Sequence, residues 1–168
     1  MNYLKLVFSF GILSNCIAYD QATKHLARTK VLSSLGTAHV SRIIEYRYVE
    51  NPYGFIDPTG GLPNDFRAIF FGAVLIVLFL ALIELIFLSK KLPTMMVGGL
   101  CLIAGGGLSN LIDRLLNDGR VVDFIALKLF LGHSFILNLA DLAIFAGVLM
   151  LLFHPLRRST RTSTMRTF

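Results

Sequence analysis

What this chain most lacks is charge. Aspartate, glutamate, lysine and arginine supply 15% of its 168 residues and hydrophobic side chains 55%, a balance with which a soluble domain could hardly stay in solution. Lipid is therefore the expected solvent for much of the chain. Cysteine is scarce too. Cys16 and Cys101 both lie in apolar stretches, which leaves no disulfide framework and no CxxC zinc site. The HExxH metalloprotease signature and the GxSxG serine elbow are missing, the four histidines His25, His39, His133 and His154 are scattered, and no internal repeat is evident. The net charge of +6 would point to nucleic acid in a soluble protein. Here the basic residues gather at the ends of apolar runs, the distribution of topology signals and lipid headgroup contacts, so membrane lipids and not nucleic acid are the expected partners.

Four apolar runs are present, at residues 4–19, 66–88, 94–112 and 133–153, each long enough to cross about 30 Å of hydrocarbon as a helix. The first is the weakest, because Ser9, Ser14 and Asn15 interrupt it; a short apolar run after Lys5 could be a secretion signal, but three further spans follow it. Four spans leave room for one domain, residues 1–168. Lys5, Lys90, Lys91, Arg157, Arg158, Arg161 and Arg166 have no acidic neighbour and mark one side. The positive-inside rule makes that side cytoplasmic and puts both termini there. The tail at 159–168, rich in Ser, Thr and Arg, is expected to be disordered on anionic lipid. In the long outer loop Ile44, Tyr46 and Tyr48 alternate with Glu45, Arg47 and Val49, the period of a half-buried strand, and Asn51-Pro52-Tyr53-Gly54 closes it with turn residues. A small extracytoplasmic sheet resting on the membrane follows.

Ionisable groups within a span cost several kcal/mol unless paired or wet. Asp20 and Lys24, at i,i+4, share a helix face, as an ordinary helix-end ion pair would. Gly105-Gly106-Gly107 would let helices approach closely. Asn110, Asp113 and Arg114 then bring an amide, a carboxylate and a guanidinium together, and a structural salt bridge of Arg114 with Asp113 or a neighbouring acid would explain the charges. Asp123 has two apolar neighbours on either side in Val121-Val122-Asp123-Phe124-Ile125. Asn138 and Asp141 share a face in the fourth run, about 12 Å along a helix from its outer end. If Asp123 folds back onto that face, two carboxyls meet in a poorly solvated pocket and share a proton, so that one serves as base for water and the other as acid. Such a pair hydrolyses amides without metal, serine or thiol. Ion coupling and plain structural pairing remain the alternatives.

The ordered set Asp20-Gln21-Ala22-Thr23-Lys24, Tyr48-Val49-Glu50-Asn51, Gly105 to Arg114, Val121 to Ile125 and Asn138 to Asp141 resembles lipoprotein signal peptidase, also called signal peptidase II, over nearly the whole chain. That resemblance implies catalytic Asp123 and Asp141, with Asp20, Lys24, Asn51, Asn110, Arg114 and Asn138 in supporting roles around the substrate. It implies an all-α membrane fold of four transmembrane helices with a small extracytoplasmic β-cradle and a short peripheral helix. It also implies a multi-pass enzyme of the bacterial inner membrane, monomeric, without cofactor or metal, acting on lipidated prolipoproteins. Three departures touch substrate fit and packing: Asn51-Pro52-Tyr53-Gly54-Phe55 is one residue tighter than the family's turn, Ser109 stands where the family has glycine, and Leu137 where it has phenylalanine. Ser109→Gly is accordingly expected to be tolerated.

Overall fold

A computed structural model describes residues 3–31, 38–39, 43–52, 73, 76, 79–80, 83, 92–128 and 134–163. The run at 66–88 falls almost wholly outside the described residues, although Ala73, Ile76, Phe79, Leu80 and Ile83 are helical. Lys90, Lys91 and the turn beyond Pro52 also lie outside them. Among the described residues, helix α1 spans Tyr3–Leu26 and passes into a π-helical turn, Ala27–Val31; α2 spans Thr94–Leu116 and α3 spans Leu139–Ser163. The strands are β1 (Ala38–His39), β2 (Ile44–Asn51), β3 (Val121–Lys128) and β4 (Ser134–Leu137).

The polar residues that interrupt α1 do not break it, because each bonds to its own helix. Ser9 and Ser14 donate to the Lys5 and Phe10 carbonyls at 2.8 and 2.7 Å, and Asn15 donates to that of Gly11 at 2.8 Å. Back-bonding of this kind lets small polar side chains sit in an apolar setting. α1 therefore runs past residue 19, and Asp20 and Lys24 lie within the helix. Among the described residues, α2 is long and apolar enough to cross a membrane, and the apolar part of α3, Leu139–Phe153, is shorter.

The helices meet through small residues. α1 and α2 run the same way: the Lys5 ammonium donates to the Leu92 carbonyl at their starts, and Gly105 packs on Cys16 farther along. α3 runs against both. A Cβ on Gly106 would stand 2.5 Å from the Ala140 carbonyl oxygen, and one on Gly147 equally close to that of Gly99, so glycine is required at both crossings. Val97, Leu100 and Cys101 fill the core beneath, against Ile12, Leu13 and Leu151. The start of α1 and the later turns of α3 consequently lie at one end of the bundle.

The sheet caps the other end, all antiparallel in the order β1-β2-β3-β4. Its size differs from expectation in three places. The strand expected at 44–49 extends to Asn51, which pairs with Val121 and is not a turn residue. Val121 to Lys128 is a full strand. Residues 134–137, expected as the start of the fourth span, are β4, so α3 begins at Leu139. The physical reason is pairing: Phe135, Ile136 and Leu137 sit opposite Leu127, Ala126 and Ile125, and ladder bonds outweigh helix propensity in so short a run. The faces are also inverted. Tyr46, Ile125 and Leu137 form one cross-strand row and Ile44, Leu127 and Phe135 the next, yet Ile44, Tyr46 and Phe135 are 37%, 38% and 44% exposed. Glu45, on the opposite face, is buried and paired with Lys128 at 2.6 Å. At the other terminus, α3 continues to Ser163, beyond the expected start of a disordered tail at 159.

Candidate active site

Asp141 stands in the first turn of α3, not 12 Å down a helix, because the residues before it are strand. Asn138 caps that helix. Its side-chain oxygen accepts the Asp141 amide at 2.9 Å while the Asp141 carboxylate accepts the Asn138 amide at 3.2 Å, a reciprocal capping box that satisfies two backbone donors and fixes both side chains. Asn110 of α2 donates to the other Asp141 oxygen at 2.9 Å.

Asp123 arrives from β3. A tight turn at the end of α2, with Asp118 and Gly119 at φ of 52° and 83°, reverses the chain and lays β3 beside that helix end. Gly119 donates back to the Arg114 carbonyl at 2.8 Å, the backbone pattern that glycine after a helix favours. The Asp123 side chain, 3% exposed, accepts from Asn51 of β2 at 2.9 Å on one oxygen and from Asn138 at 2.7 Å on the other. Asn138 thus touches both carboxylates, Asp123 through its amide group and Asp141 through its backbone. Burial pushes the Asp123 carboxyl up to about 6; the Asn51 and Asn138 bonds and Lys24 hold it back, while the Asp141 charge adds to the rise.

Beneath the two acids lies Lys24, 4% exposed. Its three hydrogens reach Asp20 at 2.6 Å, Asp113 at 2.9 Å and the Asn110 amide oxygen at 2.9 Å, which uses every donor an ammonium has. Arg114 donates to the Asn110 carbonyl at 3.3 Å, and its charge acts on Asp141 and Asp123. All eight residues singled out in the sequence therefore converge on one site.

Three more belong to it. Asp113, expected in a bridge to Arg114 or as its neighbour, gives its carboxylate to Lys24, to the Gln21 amide at 2.9 Å and to the Val122 backbone at 2.9 Å. Gln21 also reaches the Ser109 hydroxyl at 3.0 Å. Ser109, fully buried, donates to Asp20 at 2.7 Å, a bond that weighs against the expected tolerance of Ser109→Gly, since glycine would leave that polar place empty. Asp20 and Gln21 both meet Ser109, and Gln21 reaches Asp113 one turn farther along α2; no local sequence signal marks these contacts. A cavity of about 200 Å³ opens beside Gln21, Lys24, Arg28 and Asp113, away from both Asp123 and Asp141.

Comparison of the whole chain with known proteins finds a family. The profile of signal peptidase (SPase) II matches residues 12–157. The chain belongs to the signal peptidase II family. It is 33% identical to the lipoprotein signal peptidase of Pelodictyon phaeoclathratiforme over 97% of this chain and 100% of that one. It is 34% identical to that of Coxiella burnetii strain RSA 493, over 83% and 84% of the two chains. Among solved structures, a bacterial membrane enzyme determined by the in meso method at 1.9 Å superposes with a TM-score of 0.74 at 28% identity, covering 87% of this chain and 90% of that chain. A second, at 2.3 Å, shares the fold with a TM-score of 0.73 at 24% identity. Membership of the family makes the chain a bacterial membrane aspartic peptidase.

Proposed function

We propose that Asp123 and Asp141 are the catalytic pair of this peptidase and that it cuts lipidated prolipoproteins on the amino side of their diacylglyceryl-modified cysteine. The observation that carries the assignment is the double hold of Asn138, which ties the buried Asp123 carboxyl of a strand and the half-buried Asp141 carboxyl of a helix into one unit. Such a pair shares a proton. The ionised member takes a proton from the attacking water and later passes it to the departing amine, while the protonated member gives its proton to the carbonyl oxygen and recovers it when the tetrahedral diol collapses. Substrate lipid seated in the bilayer holds the scissile bond beside the pair, and positioning supplies part of the rate.

The reading extends to topology. α1 and α2 are parallel, so the chain between them has to return across the bilayer, which supports a further span at 66–88 and four in all. The unopposed basic residues then put both termini in the cytoplasm and the sheet outside. There the open Ile44, Tyr46 and Phe135 face suits contact with the lipid surface. Reporter fusions after Phe168 and within residues 57–64 test this; cytoplasmic activity from the loop fusion overturns it.

The activity is tested by incubating the purified chain in detergent with a lipidated prolipoprotein and weighing the products. A fragment beginning at the lipid-modified cysteine is expected. Asp123→Asn and Asp141→Asn should each reduce turnover by about ten-thousand-fold while the protein stays folded, and the double variant should be hardly worse. Cleavage by either single variant at the normal rate removes the pair from the mechanism.

A further inference from the structure

Each proposed catalytic aspartate is preceded in the chain by a residue whose backbone N–H is held by a buried carboxylate. The Val122 amide, next to Asp123, donates to Asp113 at 2.9 Å, and the Ala140 amide, next to Asp141, donates to Asp20 at 2.8 Å. Lys24 joins these carboxylates, at 2.9 Å from Asp113 and 2.6 Å from Asp20. The arrangement runs without a break from one active-site backbone to the other. We infer that Asp20, Lys24 and Asp113 are positioning residues that act as a strut, setting the distance between the Asp123 and Asp141 carboxyls through the amides of Val122 and Ala140.

The inference rests on the catalytic assignment above and adds a role that side-chain contacts alone do not reveal. None of the three strut residues bonds to a proposed catalytic carboxylate among the contacts described. The strut spans α1, α2 and α3: Asp20 and Lys24 come from α1, Asp113 from α2, and Ala140 from the start of α3. Its ends are braced as well. Ser109 and Gln21 fix the carboxylates of Asp20 and Asp113, and the third Lys24 hydrogen fixes Asn110, which itself holds Asp141. Once both acids are ionised, their repulsion would push β3 and the tip of α3 apart, and the strut opposes that motion from behind.

The consequence lies in how the pair titrates. Two coupled acids lose their protons in two steps, whose separation grows as they approach, and the two limbs of the pH profile for kcat/KM report those steps. The charges that face the pair are Lys24 and Asp20 on α1 and Asp113 and Arg114 on α2. Asp113→Ala releases Val122 and lets the acids separate, so the limbs should draw together. A displacement of about 1 Å should lower kcat by about a hundredfold, with KM little changed because the substrate-facing groups remain. Asp113→Asn keeps an oxygen for the Val122 amide and should restore the width of the profile.

The experiment measures kcat, KM and their pH dependence for the purified full-length chain on a lipidated prolipoprotein, normalised to the folded fraction from thermal melts, with Asp123→Asn as the inactive control. A narrowed profile in Asp113→Ala, recovered in Asp113→Asn, supports the strut. A wild-type profile and wild-type turnover per folded molecule in Asp113→Ala overturns it. Should Asp113→Ala not fold, Ser109→Ala carries the same readout, since it keeps every charge and removes only the hydroxyl that steers Asp20; a narrowed profile then supports the strut and an unaltered one overturns it. Activity in the Asp123→Asn control is a different result, which removes the catalytic assignment itself.

Discussion

Two charged clusters lie within a few turns of each other in this molecule, and they show how surroundings decide what an ion pair is for. The inner one, Asp20, Lys24 and Asp113, has side chains no more than 4% exposed and distances of 2.6 and 2.9 Å. The outer one joins Arg28, Glu50 and Arg120 at 3.6 and 3.3 Å, with exposures of 46%, 35% and 53%. Tyr48 donates to Glu50 and accepts from Arg28, while Arg28 also reaches Asn117. Both clusters link α1 or its π-helical extension to the end of α2 and the sheet. In water a pair of this type is worth about 0–1 kcal/mol, whereas a buried pair that loses one member leaves a stranded charge at a cost of about 3–5 kcal/mol. The inner cluster is therefore a rigid part and the outer one a wet surface.

The sharpest way to break the comparison is to remove one cation from each. Lys24→Met leaves two buried carboxylates without their partner and should destabilise the protein by about 3–5 kcal/mol, read as a lowered melting temperature in detergent. Equal melting of Lys24→Met and wild type would show that water already reaches the inner cluster.

A pH effect of similar origin follows for Asp123. Its folded carboxyl titrates at about 6, above the ordinary range, with burial as the main cause. A raised acid contributes stability that is fully present below the unfolded value near 4 and is lost as the pH rises through 6, here on the order of 3 kcal/mol. Melting temperature should fall across that window in wild type. In Asp123→Asn, which has no charge to bury, that part of the slope should disappear; a slope unchanged by the substitution would place its source elsewhere.

A smaller loss is expected from Ser109→Gly. The change removes a buried donor to Asp20 and an acceptor for Gln21, with a cost of about 1–3 kcal/mol. Increased stability would mean that tighter packing of α1 on α2 outweighs both bonds. The least effect belongs to the outer cluster, where Arg120→Ala should shift stability by less than about 1 kcal/mol, and less still in high salt. A salt-independent loss greater than that would place Glu50 among the buried groups in solution.

The sequence was informative where chemistry is local. Asn138 and Asp141 are three residues apart, and that spacing is enough for a capping box whatever else surrounds it. Asp20 and Lys24 were readable as partners because a helix face joins them. β3 and β4 were not readable. Val121 to Ile125 carries a continuous apolar run about one carboxylate, which fits a strand buried on both faces or a helix equally well, and its partner β2 lies about seventy residues earlier in the chain. Residues 134–137 are four residues that extend an apolar helix seamlessly in sequence, and only their pairing with β3 makes them a strand. That error set Asp141 too deep. Asp113 was ambiguous for another reason: beside Arg114 a salt bridge between neighbours was the simplest reading, and nothing local announces a lysine eighty-nine residues earlier. Gln21 was not singled out at all, because its contact to α2 depends on the close crossing at Cys16 and Gly105.

The placement of β2 against β3 also orders events during synthesis. Asn51 is made early, yet the carboxylate it holds follows 72 residues later, and Asp141 later still, on the last helix. A ribosome working at about 5–20 residues per second takes several seconds to bridge that interval. Throughout it, Asn51 has no Asp123 to hold, and the strand that Asn51 closes has no β3 to pair with. If Asp123 and Asp141 are the catalytic pair, as proposed above, a chain interrupted before residue 141 lacks half of it and should be inert toward precursors.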